Sequence, residues 1–275
     1  MKIFKDKIFR FFVIFFSFLS IVPLLFFFFT ILKKGFTAIN WEFLTSLPKP
    51  PGEIGGGILN GIVGSFILIF LASFFSIPTG IFLGLFLYEF SDKKFGEFCN
   101  TLIDVLQGIP SIVIGIIAYL WIVKQMDHFS AISGAIALSL IFLPIIIKST
   151  KESLQMIPFS LIESSLSLGA TYPRTILKVI LPCSLNGIIS GILTGIGRIA
   201  GETAPLLFTA FGNPFLNFNI LKPVSSLPHL IFVYTMSPYE NWHKHAWGCA
   251  LILVIIVLFL NSISKIGFRR WKVKL

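Results

Sequence analysis

Long apolar stretches alternate with short polar segments along this chain. A helix needs about 20 apolar residues to cross the roughly 30 Å hydrocarbon core of a bilayer, and six stretches approach or exceed that length. They cover residues 11–32, 58–88, 105–123, 129–147, 187–210 and 246–263. The pattern therefore predicts an all-α, polytopic membrane protein with six transmembrane helices.

Two of the predicted spans contain helix-breaking residues. Span two, residues 58–88, is too long for one straight crossing, and we expect Pro78 to kink it or to end its membrane part early. Near the start of span three a glycine and a proline lie close together in Gln107-Gly108-Ile109-Pro110-Ser111. This predicts a broken or kinked helix, which is tolerated at membrane depth where protein covers it or where it lines a cavity.

The polar segment 148–182, between spans four and five, predicts a helix-turn-helix. Gly169 is placed to end one short helix in the left-handed conformation, and Pro173 is placed to open the next in its first turn. We therefore expect two short helices joined by a tight elbow.

Span five contains two formal charges, Arg198 and Glu202, which lie four residues apart. That spacing places them on one helix face, about one turn from each other. A charge at the centre of a membrane helix costs roughly 2.5 to 3.5 kcal/mol, so the pair needs a reason to be there. Either the two charges neutralise each other and lock the span in place, or Arg198 offers its planar fork to an oxyanion in a water-filled path while Glu202 holds that fork. Thr203 could add a hydroxyl to such a path.

Composition and charge strengthen the membrane assignment and orient the chain. The 275 residues are 55% hydrophobic and 12% charged, with a mean hydropathy of +0.91, which excludes an ordinary soluble domain. Most of the 22 lysines and arginines lie on the side of the two termini, which predicts that both termini are cytoplasmic. The net charge of +10 is thus a topological signal that needs no nucleic acid, although the tail 265–274 could also contact anionic membrane lipid. The first span predicts a retained anchor, because no cleavage site follows it.

Several kinds of chemistry lack a signature in this sequence. There is no Gly-x4-Gly-Lys-Ser/Thr loop for ATP and no His-Glu-x-x-His motif for a catalytic zinc. Cys99, Cys183 and Cys249 are scattered, and the histidines lack partners at ligand spacing. We therefore expect no catalytic residue, no cofactor and no metal site, so energy for any transport must come from a gradient or another subunit. The loop 211–245 could be either a docking surface for an external partner or an aromatic belt.

Two segments carry a family resemblance. The first consists of Glu163-Ser164-Ser165, Gly169 and Val179-Ile180-Leu181-Pro182. It resembles the cytoplasmic EAA loop of ABC importer permeases, EAA-x3-G-x9-I-x-LP, with serines for both alanines and valine for the isoleucine. The second segment runs from Arg198 to Phe208. It is similar to the PstA-type permease family of phosphate importers, as are the stretches 56–65 and 108–115.

The resemblance implies a type I ABC importer permease that forms the phosphate path of an ATP-driven importer in the inner membrane. It implies a PstC-like second permease, a PstB-like ATPase dimer and a PstS-like phosphate-binding protein as partners. Glu163, Ser164, Ser165 and Gly169 would then couple the chain to the ATPase. The resemblance begins near residue 55, so we expect an N-terminal anchor with the first outer loop over 1–54 and a permease core over 55–275, with the coupling loop at 148–182.

Two alternatives remain open at the level of sequence. A permease for another oxyanion, such as sulfate or molybdate, would share the architecture and the elbow. A gradient-driven secondary transporter could instead use Arg198 and Glu202 as a proton or anion relay, although no inverted repeat of the kind found in such transporters is visible.

Overall fold

The computed structural model describes residues 2–53 and 55–267, and its regular structure there is helical. Two of the helices contain a π turn, at Tyr119–Val123 and Ile176–Ile180. The helices are α1 Lys2–Phe36, α2 Trp41–Thr45, α3 Leu59–Phe90, α4 Lys94–Gly108, α5 Ser111–Met126, α6 Ala131–Gln155, α7 Phe159–Ser167, α8 Tyr172–Ala200, α9 Ala204–Leu207, α10 Leu227–Thr235 and α11 Glu240–Gly267.

Five of these helices, α1, α3, α6, α8 and α11, are long and apolar enough to cross a membrane. The sixth predicted span corresponds to the pair α4 and α5, which is bent by 101° between Gly108 and Ser111. The predicted break in span three is therefore confirmed. Residues 105–108 of the predicted span belong to α4, and the rest of the span lies beyond the bend. The bend falls at Ile109 and Pro110, where proline disfavours helical geometry in the residue before it.

Helix α3 continues unbroken for 32 residues, with Pro78 inside it. The helix itself therefore does not end at Pro78, and an early end of its membrane part stays a prediction. Tertiary packing explains the continuity, because small residues of α3 lie against α6 on both sides of the proline. Ser76 donates a hydrogen bond to the carbonyl of Ser139 at 3.2 Å, and a Cβ on Gly80 would lie only 2.7 Å from Ile146.

Helix α6 forms the centre of the bundle. Of its apolar window 61% is buried, against 0 to 22% for the other membrane-spanning helices. Around Phe142 it packs against Leu68 of α3 and Ile199 of α8, all of them fully buried. The peripheral helices keep wide apolar faces exposed, as expected of surfaces that meet lipid or another subunit.

Helix α8 ends earlier than the sequence predicts, at Ala200 and not at residue 210. Gly201 follows the helix, and the short helix α9 starts at Ala204 with Pro205 in its first turn. Proline has no backbone N–H and its ring clashes with the preceding turn, so α8 cannot run through this position without losing a hydrogen bond.

Candidate functional site

The elbow between α7 and α8 has the turn that the sequence predicts. Gly169 has φ +82°, and its N–H donates to the carbonyl of Leu166 at 2.9 Å while the N–H of Ala170 donates to Ser165 at 3.2 Å. A Cβ at Gly169 would meet nothing within 4 Å. Glycine is therefore required here for its left-handed backbone and not for lack of space. Only the second arm differs from the prediction, because it is not a separate short helix but the first turns of α8.

The elbow is fixed to the ends of three membrane-spanning helices. Ile162 of α7 is buried together with Leu154 of α6 and Ile180 of α8. The hydroxyl of Tyr172 donates to the Glu89 carboxylate at the end of α3, with an O–O distance of 2.6 Å. A force applied to the elbow would therefore reach α3, α6 and α8 together.

The tip of the elbow exposes both polar and large apolar side chains. Glu163 and Ser164 are exposed, while the hydroxyl of Ser165 turns back to that of Thr175 at 2.9 Å. Leu168 is 89% exposed and Phe159 is 68% exposed. Apolar side chains displayed at a polar end are typical of a protein–protein contact surface.

Arg198 lies in the last turn of α8, and Glu202 lies just beyond the helix end. Their side chains still meet, with Nε of Arg198 3.8 Å from Oε1 of Glu202. At that distance the carboxylate is an ion-pair partner but not a hydrogen-bond acceptor. The Arg198 side chain is 50% exposed and that of Glu202 is 17% exposed. The guanidinium is therefore the more accessible of the two charged groups. Thr203, half-buried, precedes α9 and does not cap it with its side chain.

Arg198 continues a polar line along α8 that the sequence analysis did not single out. Ser190 and Thr194 are also exposed, and each lies one turn from the next. The four-residue spacing was visible in the sequence. Which side of α8 stays exposed could not be predicted from the sequence, because it depends on where α6 and α11 pack.

A separate cavity of about 570 Å³ lies at the end of the bundle opposite the elbow, between the segment 47–51, the segment 211–215 and α10. Its lining is mostly apolar and does not include Arg198. Asn60, His229 and Tyr234 contribute to its wall, and each has a buried polar atom without a hydrogen-bond partner among the described residues. Burial lowers the pKa of His229, so its imidazole is neutral at physiological pH. The lining also includes a charged residue, Lys49, whose Nζ forms an ion pair with Oε1 of Glu42 at 3.4 Å.

The sequence matches one family of known proteins over most of its length. The model of the family described as "Binding-protein-dependent transport system inner membrane component" matches residues 76–271. The chain belongs to this family. As a member of the family, it is a multi-pass protein of the inner membrane, in agreement with its apolar helices.

Relatives within the family include phosphate transport permeases. The "Phosphate transport system permease protein PstA" of Yersinia pestis is 39% identical over 245 residues, which cover 89% of this chain and 83% of that protein. The "Probable phosphate transport system permease protein PstA" of Methanocaldococcus jannaschii is 38% identical over 258 residues, covering 94% and 91%.

Solved structures support the same fold. An inward-facing structure of the MetNI methionine ABC transporter superposes with a TM-score of 0.66 at 18% identity, covering 78% of this chain and 95% of that one. The fold is therefore that of a type I ABC importer permease, as the sequence analysis predicts.

Proposed function

We propose that this chain is a permease subunit of an ATP-driven phosphate importer and forms the translocation path together with a second permease. The name and high coverage of the two relatives described above support phosphate as the substrate. In this proposal a PstC-like permease completes the path, a PstB-like ATPase dimer hydrolyses ATP, and a PstS-like protein delivers phosphate. The chain itself carries no ATPase chemistry.

The proposal also assigns an orientation and a division of the chain. Both termini and the elbow are cytoplasmic, as the distribution of lysine and arginine favours. Residues 1–54 serve as an anchor with the first outer loop, and residues 55–275 form the permease core with the coupling loop at 148–182. The exposed apolar window of α1 is consistent with an anchor outside the core, since 0% of it is buried.

The proposed translocation of phosphate depends on Arg198. It is a half-exposed cation on the open face of α8, with a carboxylate close enough to hold it but too far to occupy its N–H donors. In a path shared with a second permease, Arg198 would bind the phosphate oxygens and Glu202 would weaken that binding so that the ion can leave. Thr203 would supply a hydroxyl beside them.

The elbow is proposed to couple the ATPase to the membrane-spanning helices. Glu163, Ser164 and Ser165 lie on the short helix α7, and Gly169 sets the turn that follows it. We propose that this surface seats on the ATPase and that closure of the ATPase dimer moves α3, α6 and α8 through the contacts described above. The small serine side chains would fit a groove nearly as well as alanine.

The test is uptake of radiolabelled phosphate by the chain reconstituted with its co-purifying subunits, with and without ATP. We expect Arg198→Gln to reduce ATP-dependent uptake about tenfold or more at equal complex recovery, the factor associated with one charge-assisted hydrogen bond. Arg198→Lys should be intermediate, because lysine offers a point charge without the planar fork. The matched control is Lys33→Gln, which removes one exposed positive charge on α1, away from the path.

Three results would count against parts of the proposal. Unchanged uptake in Arg198→Gln would make the pair with Glu202 structural. Equal competition by sulfate or molybdate would indicate another oxyanion as the substrate. Wild-type uptake without any ATP dependence would indicate a gradient-driven transporter.

A further inference from the structure

A second cation with a carboxylate beside it lies at the end of α6 nearest the elbow. Nζ of Lys148 forms an ion pair with Asp104 of α4 and donates to Oε1 of Gln107 at 2.7 Å. The Lys148 side chain is 37% exposed, so these partners do not enclose it. We propose that Lys148 is a second anion-binding residue on the translocation path, closer to the cytoplasm than Arg198. This inference rests on the proposed function and adds a residue to its path.

The packing of α6 against α8 places Lys148 and Arg198 on one side. The two helices are antiparallel and touch where Ser149 Oγ donates to the carbonyl of Gly187 at 3.2 Å and where a Cβ on Gly191 would collide with Ser149. Successive residues of an α-helix turn by about 100°. Lys148 is one residue before Ser149 on α6, and Thr194 is three residues after Gly191 on α8. Because the two helices run in opposite directions, both residues are rotated away from the contact line toward the same side.

The contact line also fixes the depth of the two cations. Lys148 is next to Ser149, which lies against Gly191. Arg198 is seven residues further along α8, and at 1.5 Å per residue the two positions are separated by about 10 Å along the bundle. The exposed hydroxyl residue Thr194 lies between them. The open face therefore presents a guanidinium, a hydroxyl and an ammonium in series, an arrangement suited to passing a phosphate ion inward.

Each of the two cations has a neighbouring carboxylate that partly offsets its positive charge. Arg198 has Glu202 at 3.8 Å, and Lys148 has Asp104. A permeation site must bind its ion and also release it, so a partly offset positive charge suits both positions better than a bare one. Glu152, exposed one turn beyond Lys148, adds negative charge toward the cytoplasm and would favour departure of the ion from this end.

The competing explanation is that Lys148 merely ties α4 to α6. Three variants separate the two explanations: Lys148→Gln, Asp104→Asn and the double variant. If the ion pair is structural, Lys148→Gln leaves Asp104 uncompensated, and removing both charges should restore the complex and its uptake. If Lys148 contacts phosphate, the double variant lacks the cation and stays impaired.

The experiment measures ATP-driven uptake of radiolabelled phosphate and ATP turnover in proteoliposomes at equal complex recovery. We expect Lys148→Gln and the double variant each to lower the maximal uptake rate about tenfold or more, the factor for loss of one charge-assisted hydrogen bond. Asp104→Asn should retain uptake but be inhibited more strongly by phosphate enclosed inside the vesicles, because release slows. Lys94→Gln on the exposed start of α4 is the charge-matched control and should behave as wild type.

Uptake restored in the double variant would overturn the inference, and so would unchanged uptake in Lys148→Gln. The double variant leaves no uncompensated charge, so it decides the question even if Lys148→Gln alone does not assemble. A wild-type complex without ATP-dependent phosphate uptake would refute the proposed function itself. The two failures are therefore distinguishable.

Discussion

The turn at Gly169 gives a prediction whose magnitude follows from the backbone alone. Its φ of +82° lies in the left-handed region, and a Cβ there would meet nothing within 4 Å. Gly169→Ala therefore adds backbone strain without a steric collision. A non-glycine residue in this conformation costs about 1 to 2 kcal/mol, which lowers the population of the native elbow by a factor of about 5 to 30 relative to competing conformations.

Gly52 provides a closely matched control for this substitution. It has φ +93° and equally open surroundings, but it lies in the loop between α2 and α3, at a distance along the chain from the elbow. Gly52→Ala should therefore add similar strain without touching the coupling surface. Asparagine tolerates the left-handed region better than alanine, so Gly169→Asn should be milder than Gly169→Ala.

The assay compares ATP-driven phosphate uptake with phosphate-stimulated ATP turnover in the reconstituted complex. We expect Gly169→Ala to reduce both about tenfold while the isolated permease remains folded, and Gly52→Ala to change neither. If Gly169→Ala assembles and shows normal stimulated ATP turnover, the elbow is not the coupling element. Equal losses in the two variants would show that the effect is general strain and would refute the reasoning as well.

Two further predictions concern stability. Gly64→Ala should lower the melting temperature, because a Cβ there would collide with the backbone carbonyl of Ser225 and overpacking of this kind costs about 1 to 3 kcal/mol. Gly197→Ala should change the melting temperature little, because its Cβ would have an ordinary contact of 3.5 Å with Val257. Equal melting temperatures of the two variants would contradict the packing argument. Burial lowers the pKa of His229, because the folded state favours the neutral imidazole. The folded state therefore loses stability as the pH falls below about 6.5 and the imidazole becomes protonated. His229→Asn should flatten the dependence of melting temperature on pH, and an unchanged slope would contradict this prediction.

The location of the membrane-spanning helices was predictable from the sequence because hydrophobic length is a local property. Each predicted apolar stretch overlaps a helix or the bent pair. The elbow turn was equally local, since a left-handed glycine followed by a proline in the first turn of a helix has few alternatives. The pair of charges in span five was also visible locally, because burying a charged side chain in an apolar stretch costs free energy and such charges are therefore rare.

The exceptions arise where distant parts of the chain meet. Pro78 ends no helix, because α6 packs against α3 on both sides of it, at Ser76 and at Gly80. Arg198 and Glu202 remain paired although α8 ends between them. Lys148 could not be singled out from the sequence, since its partners Asp104 and Gln107 belong to another helix.

The sequence by itself therefore determined the class, the approximate positions of the spans, the elbow and the identity of the charged pair. The tertiary structure decided which side of α8 stays open and which cations share it. The physical reason is that helical periodicity fixes the relative directions of side chains on one helix. Only the packing of α3, α6, α8 and α11 against one another decides which of those directions is covered and which stays exposed.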